Sequence, residues 1–295
     1  MTRRARSVAL MLLACVGTLA CDGGRRVTAP DFRPEQPPMR IVAGSIFATE
    51  VLLEIAPRER IAGVHTLAQD PAFSLVVTEV ADLPKVGAEP ERLLAVRPDL
   101  VIIDAFTRPE TQVLLESAGV PVVRTLTPRS FDDIEANIRT VGRACHCDAA
   151  AEALVARMRT QLQQVRDRGA ELGAWHVCNL DGGLHTHGRG SLFDAMMEAV
   201  GARNLAAERG AGPFRRLSLE AVLAWRPDAL IVDGEAADQS RQPEWFAQSR
   251  GLQLLPCTQR NHVLFVPGRL LGTTSHRLVD TAALVQAKLR TWGHP

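Results

Sequence analysis

Short, continuous apolar runs recur along the chain, and each is followed by a polar residue. Residues 100–103 (Leu-Val-Ile-Ile) end at Asp104, and residues 229–232 (Ala-Leu-Ile-Val) end at Asp233. Runs without polar alternation are typical of parallel strands that are buried on both faces. Stretches with helical apolar spacing alternate with these runs, so the pattern predicts an α/β fold with doubly wound, Rossmann-like sheets.

The chain contains an internal repeat. Residues 93–104 (LLAVRPDLVIID) and 222–233 (VLAWRPDALIVD) are identical at seven of twelve positions. A second pair, residues 44–47 (GSIF) and 190–193 (GSLF), opens a helical stretch in each half. The copies lie farther apart than the roughly 20–50-residue periods of solenoid repeats. We therefore predict two similar lobes, at residues 39–130 and 173–295.

Residues 131–172, between the two lobes, are predicted to be helical. Two stretches with helical apolar spacing flank the sequence Cys145-His146-Cys147. Asp148 is a suitable N-cap for the second stretch, which we predict to run from Ala149 to about Arg168. A helix of this length would join the lobes as a rigid connector.

The N-terminus has the pattern of a secretory signal. Residues 1–6 carry three Arg and no acid, and residues 8–20 are almost wholly small and apolar. Residues 18–21 (TLAC) resemble the bacterial lipobox, which predicts a signal peptide at residues 1–20 and lipid modification of Cys21; a soluble secreted protein is the alternative. Residues 21–38 are predicted to be a flexible tether. We expect an extracytoplasmic protein, lipid-anchored to a membrane at its periplasmic face.

Composition and motifs exclude several classes of function. The 295 residues carry 34 Lys plus Arg and 33 Asp plus Glu, a balance that argues against nucleic-acid binding. No apolar run reaches the roughly 18 residues of a membrane-spanning helix. The Gly-x-Ser-x-Gly, His-Glu-x-x-His and Walker motifs are missing, so we predict neither catalysis nor a cofactor. The sequence has no Tyr, which excludes tyrosinate ligation of heme.

These features together resemble the substrate-binding proteins of ABC importers whose lobes are joined by one long helix, the family of cobalamin, iron–siderophore and heme receptors. The matching segments include Ile41–Ser45, Leu83–Gly87, Arg97–Ile102, Gly190–Leu192 and Gly201–Asn204. The resemblance implies a ligand cleft between the lobes, small hinge closure, and delivery to a membrane permease with its ATPase.

The cargo implied by this resemblance is a small-molecule metal chelate. We expect a monomer that carries a ferric siderophore first, cobalamin second and heme third. The alternatives are a receptor for a free transition-metal ion, or a non-transport enzyme or sensor on the same scaffold. In this family one Glu on each lobe pairs with Arg on the permease. The resemblance implies Glu50 and Glu198 for these positions, as exposed carboxylates on rigid helices.

Loops that follow strands are expected to line the cleft. Apolar and cationic side chains there suit a macrocycle or aromatic chelator that bears carboxylates. His185 and His187 alternate, which places two imidazoles on one face of a strand; they are either metal contacts or local hydrogen-bonding groups. The predicted lining is Ser45, Phe47, His65, Lys85, Asp104, Phe106, His185, His187, Arg189, Phe214, Arg215 and Arg269.

Four cysteines remain after Cys15 and Cys21 are assigned to the signal region. Four cysteines permit three complete pairings. Cys178 and Cys257 both fall in the second lobe, and we predict that they form a disulfide. Cys145 and Cys147 are a strained disulfide, a free pair or a weak metal site with His146, and spacing alone does not choose among these.

Overall fold

The computed structural model describes residues 32–170, 172, 175–234 and 242–295. The predicted signal peptide and Cys21 lie outside the described residues. The first lobe contains a parallel sheet with the order β3-β2-β1-β4-β5. Its strands are β1 (Ile41–Ala43), β2 (Ile61–His65), β3 (Lys85–Val86), β4 (Leu100–Ile103) and β5 (Val122–Arg124), with helices α1 (Ile46–Ile55), α2 (Pro90–Ala95) and α3 (Pro109–Ser117).

Both faces of this sheet are buried, as the apolar runs predict. Ile41 and Ala43 on β1 belong to one hydrophobic cluster, and Val42 between them belongs to a second cluster. Alternate side chains of a strand point to opposite faces, so the sheet is covered on both sides. Two long helices follow the sheet in the chain: α4 (Phe131–Ala144) and α5 (Asp148–Gly169).

The second lobe contains a parallel sheet with the order β11-β10-β6-β8 and a separate antiparallel ribbon of β7 and β9. The strands are β6 (His176–Leu180), β7 (His185–Thr186), β8 (Arg203–Asn204), β9 (Arg215–Arg216), β10 (Ala229–Asp233) and β11 (Val263–Val266). The helices are α6 (Leu192–Val200), α7 (Leu205–Glu208), α8 (Leu219–Trp225), α9 (Glu244–Gln248), α10 (Arg250–Gln253), α11 (Pro256–Gln259), α12 (Gly268–Leu271) and α13 (Leu278–Trp292).

The sequence repeat has a structural counterpart. The order β2-β1-β4-β5 in the first sheet matches β8-β6-β10-β11 in the second. Helix α2 leads into β4 as α8 leads into β10. The loops between them contain Arg97 and Arg226, two non-glycine residues that both have a φ of 50°. The predicted pair of doubly wound lobes is therefore confirmed.

Helix α5 connects the lobes by packing against both. A single hydrophobic cluster extends from Ile41 in the first lobe, through Leu154 and Met158 on α5, to Val285 on α13. At its C-terminal end, α5 meets the end of α6, where Gly201 has a φ of 84°. A Cβ on Gly201 would overlap the backbone of Gly169, so this contact requires glycine.

The predicted N-cap of α5 is wrong, and the predicted tether at residues 21–38 needs correction in its last part, since residues 21–31 lie outside the described residues. The N-cap is Cys147, and Asp148 is the first helical residue, where its carboxylate pairs with Arg33 at 2.8 Å. Residues 32–38 are not a free tether, because they lie against the body. Nε2 of His146 lies 2.8 Å from the carbonyl oxygen of Pro34, and Nε of Arg60 donates to the carbonyl oxygen of Pro38 at 2.6 Å.

The predicted disulfide between Cys178 and Cys257 is wrong, because both are free thiols, as are Cys145 and Cys147. The Sγ of Cys178 lies 3.6 Å from Oγ1 of Thr186 instead. Burial raises the pKa of Cys178 to about 12 and that of Cys257 to about 11, so both remain protonated. Among the described helices, none combines the length and apolar character needed to cross a bilayer.

Candidate ligand-binding cleft

A tight turn after β6 carries the ribbon to the carboxyl edge of the second sheet. Oδ1 of Asp181 accepts hydrogen bonds from the backbone N–H groups of Gly183 and His185, both at 2.8 Å. Nδ1 of His185 lies 3.0 Å from Oδ2 of the same carboxylate. Partial burial acts to raise the pKa of Asp181, but the hydrogen bonds from His185 and Gly183 outweigh it and lower that pKa. Asp181 is therefore ionised and holds the His185 ring in place.

A second polar side chain fixes His187. Oδ1 of Asn179 accepts from the backbone N–H of His187 at 3.0 Å and from Oγ1 of Thr186 at 3.1 Å. Nδ2 of Asn179 lies 2.8 Å from Nδ1 of His187. Burial lowers the pKa of His187, with Asp181 opposing the shift and His185 adding to it. The imidazole is thus held neutral and in one orientation.

Phe214 covers both imidazoles and remains 62% exposed. Its ring stacks on His185 with centroids 4.8 Å apart and lies 5.5 Å from the His187 centroid. Arg215 and Arg216 follow on β9, and both are exposed. We call His185, His187, Phe214, Arg215 and Arg216 the ribbon face. It offers aromatic surface, imidazole nitrogens and positive charge in one place.

An exposed aromatic ring lies at the carboxyl end of β4 in the first lobe. Phe106 is 74% exposed. Asp104 supports it, because Oδ1 accepts from the backbone N–H groups of Phe106 and Thr107, both at 3.0 Å. Nη1 of Arg124 donates to the carbonyl oxygens of Asp104 and Thr107 at 2.8 and 2.9 Å. Asp104 therefore shapes the loop, and Phe106 is the side chain it offers to a ligand.

His65 and Lys85 lie at the ends of neighbouring strands in the first lobe. Lys85 is exposed on β3. Nδ1 of His65 accepts from the backbone N–H of Leu67 at 3.3 Å. Burial lowers the pKa of His65, while Asp104 and Glu89 act in the opposite direction. Together with Phe106, these residues form what we call the first-lobe rim.

Two predicted lining residues lie where the lobes touch, and a third, Ser45, caps a helix beside them. Ser45 is 3% exposed and caps α1, with Oγ accepting from the backbone N–H of Ala48 at 3.1 Å. Phe47 and Arg269 line a cavity of about 140 Å³ between the lobes, together with Phe73. Nη1 of Arg269 donates to the carbonyl oxygen of Pro71 at 3.1 Å. Ser45 thus has a structural role, whereas Phe47 and Arg269 contribute to the contact between lobes.

Arg189 does not join the ribbon face. Its Nη2 donates to the carbonyl oxygen of Ala207 on α7 at 3.3 Å. The described residues contain no cluster of three or more His, Cys, Asp or Glu side chains that could hold a metal ion.

The comparison with known proteins now identifies the scaffold. A family model described as "Periplasmic binding protein" matches residues 41–270, which span both sheets. The chain belongs to the periplasmic binding protein family. Members of this family are binding components of transport, so the chain is a substrate-binding protein and not an enzyme, and its family places it outside the cytoplasm.

Individual periplasmic binding proteins resemble the chain over most of its length. A cobalamin-binding protein of Halobacterium salinarum is 26% identical over 268 residues, which cover 87% of this chain and 70% of that protein. An ABC transporter substrate-binding lipoprotein of Bacillus subtilis, YvrC, is 23% identical and covers 85% and 79% of the two chains. The apo structure of the periplasmic heme-binding protein RhuT from Roseiflexus sp. RS-1 has a TM-score of 0.74 at 26% identity, covering 86% of this chain and 98% of RhuT.

The structure places Glu50 and Glu198, the two carboxylates predicted to contact a permease, in different environments. Glu50 is 2% exposed, so the prediction that it is exposed is wrong. It accepts hydrogen bonds from Ser275, at 2.5 Å, and Thr273, at 3.3 Å, and it thereby links α1 to the loop before α13. Burial raises the pKa of Glu50, although the Ser275 hydrogen bond opposes that shift. Glu198 is exposed, but it lies near the end of α6, at the amino edge of the second sheet.

Glu91 and Glu220 occupy equivalent positions that sequence reasoning missed. Each lies exposed in the first turn of the matching helices α2 and α8. A helix that leads into a parallel strand begins at the carboxyl edge of the sheet, so both residues lie on the cleft side of their lobes. The signal was available, because extending the sequence repeat by two residues pairs Glu91 with Glu220.

Proposed function

We propose that this chain is the substrate-binding protein of an ABC importer and that its cargo is a tetrapyrrole-type metal chelate, a corrinoid or a heme. The observation that carries the proposal is the ribbon face, where an exposed aromatic ring adjoins two imidazoles and two arginines. A large apolar ring suits Phe214 and Phe106, and its polar edge groups suit Arg215, Arg216 and Lys85. The names of the Halobacterium and Roseiflexus proteins, which bind cobalamin and heme, support the same class.

This proposal reverses the order of cargoes expected from sequence, in which a ferric siderophore came first. A siderophore fills the coordination sphere of its iron with its own oxygen atoms and has no need of a protein imidazole. A heme leaves the axial positions of its iron open to such a group, and a corrinoid can exchange an axial ligand for one. The pair of ordered imidazoles on the ribbon face therefore favours the tetrapyrrole.

A binding screen tests the cargo. The purified protein is titrated with hemin, aquacobinamide, a ferric hydroxamate siderophore and Zn(II), and tryptophan fluorescence is followed with absorption as a second readout. We expect saturable one-to-one binding of a tetrapyrrole and weaker binding of the siderophore. Tighter binding of the siderophore would restore the order expected from sequence, and binding of Zn(II) alone would overturn the chelate proposal.

We also propose that Glu91 and Glu220 form the two anionic contacts with the permease. Both side chains are exposed, they lie on equivalent helices, and hydrogen bonds from its own backbone N–H and from Ser218 lower the pKa of Glu220. Two carboxylates held by rigid lobes fix the register of docking.

The docking test is an uptake assay in cells that depend on this receptor. The double variant Glu91→Lys/Glu220→Lys should lose more than about 90% of uptake while cargo affinity stays within twofold, because reversed charges repel a cationic partner. Glu198→Lys is the matched control for each single substitution, Glu91→Lys and Glu220→Lys, because it makes the same charge change at the opposite edge of a lobe. Equal loss of uptake in this control would contradict the proposal that docking depends on the cleft edge.

Lipid anchoring at Cys21 remains a proposal, based on the sequence of the N-terminus and on the name of the Bacillus lipoprotein. The substitution Cys21→Ser should move the protein from the membrane fraction to the soluble extracytoplasmic fraction. Retention of Cys21→Ser in the membrane fraction after a salt wash would contradict the proposal.

A further inference from the structure

His185 and His187 have different hydrogen-bonding partners although they lie two residues apart on the ribbon face. The ionised carboxylate of Asp181 can only accept, so Nδ1 of His185 must carry the hydrogen in the 3.0 Å contact between them. In its neutral form the His185 ring therefore has an unprotonated Nε2. A carboxylate behind one imidazole nitrogen is the arrangement that orients a metal-binding histidine and increases its basicity.

The orientation of Asn179 assigns the opposite tautomer to His187. Oδ1 of Asn179 accepts from the backbone N–H of His187, so the amide cannot be turned round without placing its NH₂ against that N–H. Nδ2 of Asn179 then donates to Nδ1 of His187 at 2.8 Å. A neutral imidazole that accepts at Nδ1 carries its hydrogen on Nε2. His187 thus offers a donor at the same ring position where His185 offers a lone pair.

Both Nε2 atoms are available to a ligand. Within the described residues, neither Nε2 has a hydrogen-bond partner, and the side chain of His185 is 30% exposed. The His185 ring lies between Phe214 and the backbone of Gly183, where a Cβ would lie 2.7 Å from Nδ1. Gly183 and Phe214 therefore fix the plane of the imidazole, and Asp181 fixes its tautomer.

We propose that the two histidines have separate roles in holding the cargo: Nε2 of His185 coordinates the metal of the bound tetrapyrrole, and Nε2–H of His187 donates a hydrogen bond to an oxygen on the ligand's edge. This inference rests on the proposed function. An axial bond lies in the plane of the imidazole, so the macrocycle stands across the ring edges of His185 and Phe214, which are inclined to each other by only 19°. Phe214 then meets the macrocycle edge to face, a favourable aromatic geometry.

The tautomers can be measured without any ligand. Long-range ¹H–¹⁵N correlation spectra of the apo-protein should show an unprotonated Nε2 for His185 and an unprotonated Nδ1 for His187. The isosteric substitution Asp181→Asn keeps the Oδ1 acceptor for the turn but places an amide N–H against Nδ1 of His185. It should therefore convert His185 to the Nε2–H tautomer. The same tautomer at both positions in the wild type would overturn the inference.

The coordination is read from the absorption and electron paramagnetic resonance spectra of the hemin complex. Wild-type protein should give an imidazole-ligated ferric spectrum. His185→Ala should lose that signature and bind about tenfold more weakly, and Asp181→Asn should weaken the signature. His187→Ala should keep the signature and bind about fivefold more weakly, the loss expected for one hydrogen bond. His294→Ala, at the exposed C-terminus, is the matched control and should behave as wild type.

The outcomes separate the inference from the function on which it rests. If the wild type binds neither hemin nor aquacobinamide, the proposed function fails and the inference fails with it. If the wild type binds hemin and His185→Ala retains the imidazole signature, the function stands and only the inference fails. Melting curves of each variant show whether a lost signature reflects misfolding.

Discussion

In the first lobe the exposed ring of Phe106 stands on a single loop, whereas in the second lobe Phe214 stands on a two-stranded ribbon. The loop is shaped by Asp104 and Arg124 and carries no histidine of its own, although His65 lies on the same rim. The ribbon brings Phe214 against His185 and His187. The four equivalent strands of the two lobes nevertheless have the same order. The two lobes thus share a scaffold, while the segments that form β7 and β9 give the second lobe a cluster of groups that the first lobe lacks.

The largest expected effect on stability is at the contact of the connecting helix α5 with the second lobe, compared with a similar helix end in the first lobe. Gly201 and Gly119 both follow a helix with positive φ, at 84° and 79°. A Cβ on Gly201 would overlap the backbone of Gly169, whereas a Cβ on Gly119 would meet nothing within 4 Å. Gly201→Ala should therefore lower the free energy of unfolding by about 3 kcal/mol or more, and Gly119→Ala by about 1 kcal/mol.

Urea unfolding followed by circular dichroism measures both glycine variants under the same conditions. Gly119→Ala isolates the cost of the backbone conformation, and the excess in Gly201→Ala is the cost of separating α5 from α6. Equal losses in the two variants would show that the contact between these helices is loose.

The two exposed rings give a direct comparison of the lobes as binding surfaces. Phe214→Ala should weaken tetrapyrrole binding by roughly 10- to 30-fold, because it removes the aromatic contact and the packing that orients His185. Phe106→Ala should weaken binding by about threefold, because it removes one ring from a loop that carries no metal-binding partner. Isothermal titration with hemin compares the two, and a larger loss in Phe106→Ala would reverse the assignment of the dominant lobe.

The pH dependence of stability tests the contact between the lobes at Glu50. Burial raises the pKa of Glu50 in the folded state, so its contribution to stability is fully present below the unfolded pKa and is lost as pH rises through the folded pKa. Glu50→Gln should therefore stabilise the protein by about 1 kcal/mol at pH 7 and by almost nothing near pH 4.

Thermal melts across this pH range check the Glu50 prediction. Glu198→Gln, an exposed residue with no buried partner network, should show no such trend. A difference in stability between Glu50→Gln and wild type that is the same at all pH values would show that ionisation of Glu50 does not cause the effect.

The smallest expected effect on stability concerns the equivalent loops of the two lobes that contain Arg97 and Arg226. Arg97 and Arg226 both have a φ of 50°, a conformation that glycine adopts at lower cost. Arg97→Gly and Arg226→Gly should each raise the free energy of unfolding by about 0.5 kcal/mol, since relief of backbone strain is partly offset by the greater entropy of the unfolded chain. Unequal values would indicate that the two loops are strained to different degrees.

Sequence reasoning succeeded where the cause of a structure is local. The apolar runs and the prolines at positions 98 and 227 correctly predict β4 and β10, and the repeat between them predicts the two lobes. The sequence singled out His185 and His187 as alternating histidines in a loop after a strand, and Phe214 as an apolar side chain in a predicted cleft loop; the structure brings the three together. The sequence did not predict the hydrogen bonds of His187 with Asn179 and of His185 with Asp181, since these partners depend on how the turn folds.

Contacts between distant segments explain two other errors, at Glu50 and at the cysteines of the second lobe. Glu50 lies in α1, and a charged residue in a helix is expected to be exposed. Thr273 and Ser275, more than 220 positions away in the sequence, cover it instead. Cys178 and Cys257 share a lobe, yet membership of one lobe does not supply the geometry that a disulfide needs. Each error concerns two segments that meet only after the whole chain has folded.

The hydrophobic cluster that runs unbroken from the first lobe through α5 into the second has a mechanical consequence. A large opening of the lobes to admit or release cargo is unfavourable, because it would expose the shared core to water. Cargo selection must then rely on a preformed shape, with little clamping after capture. The free energy needed to separate the lobes would then have to come from outside the chain, which in the proposed function is the role of the ATP-driven importer.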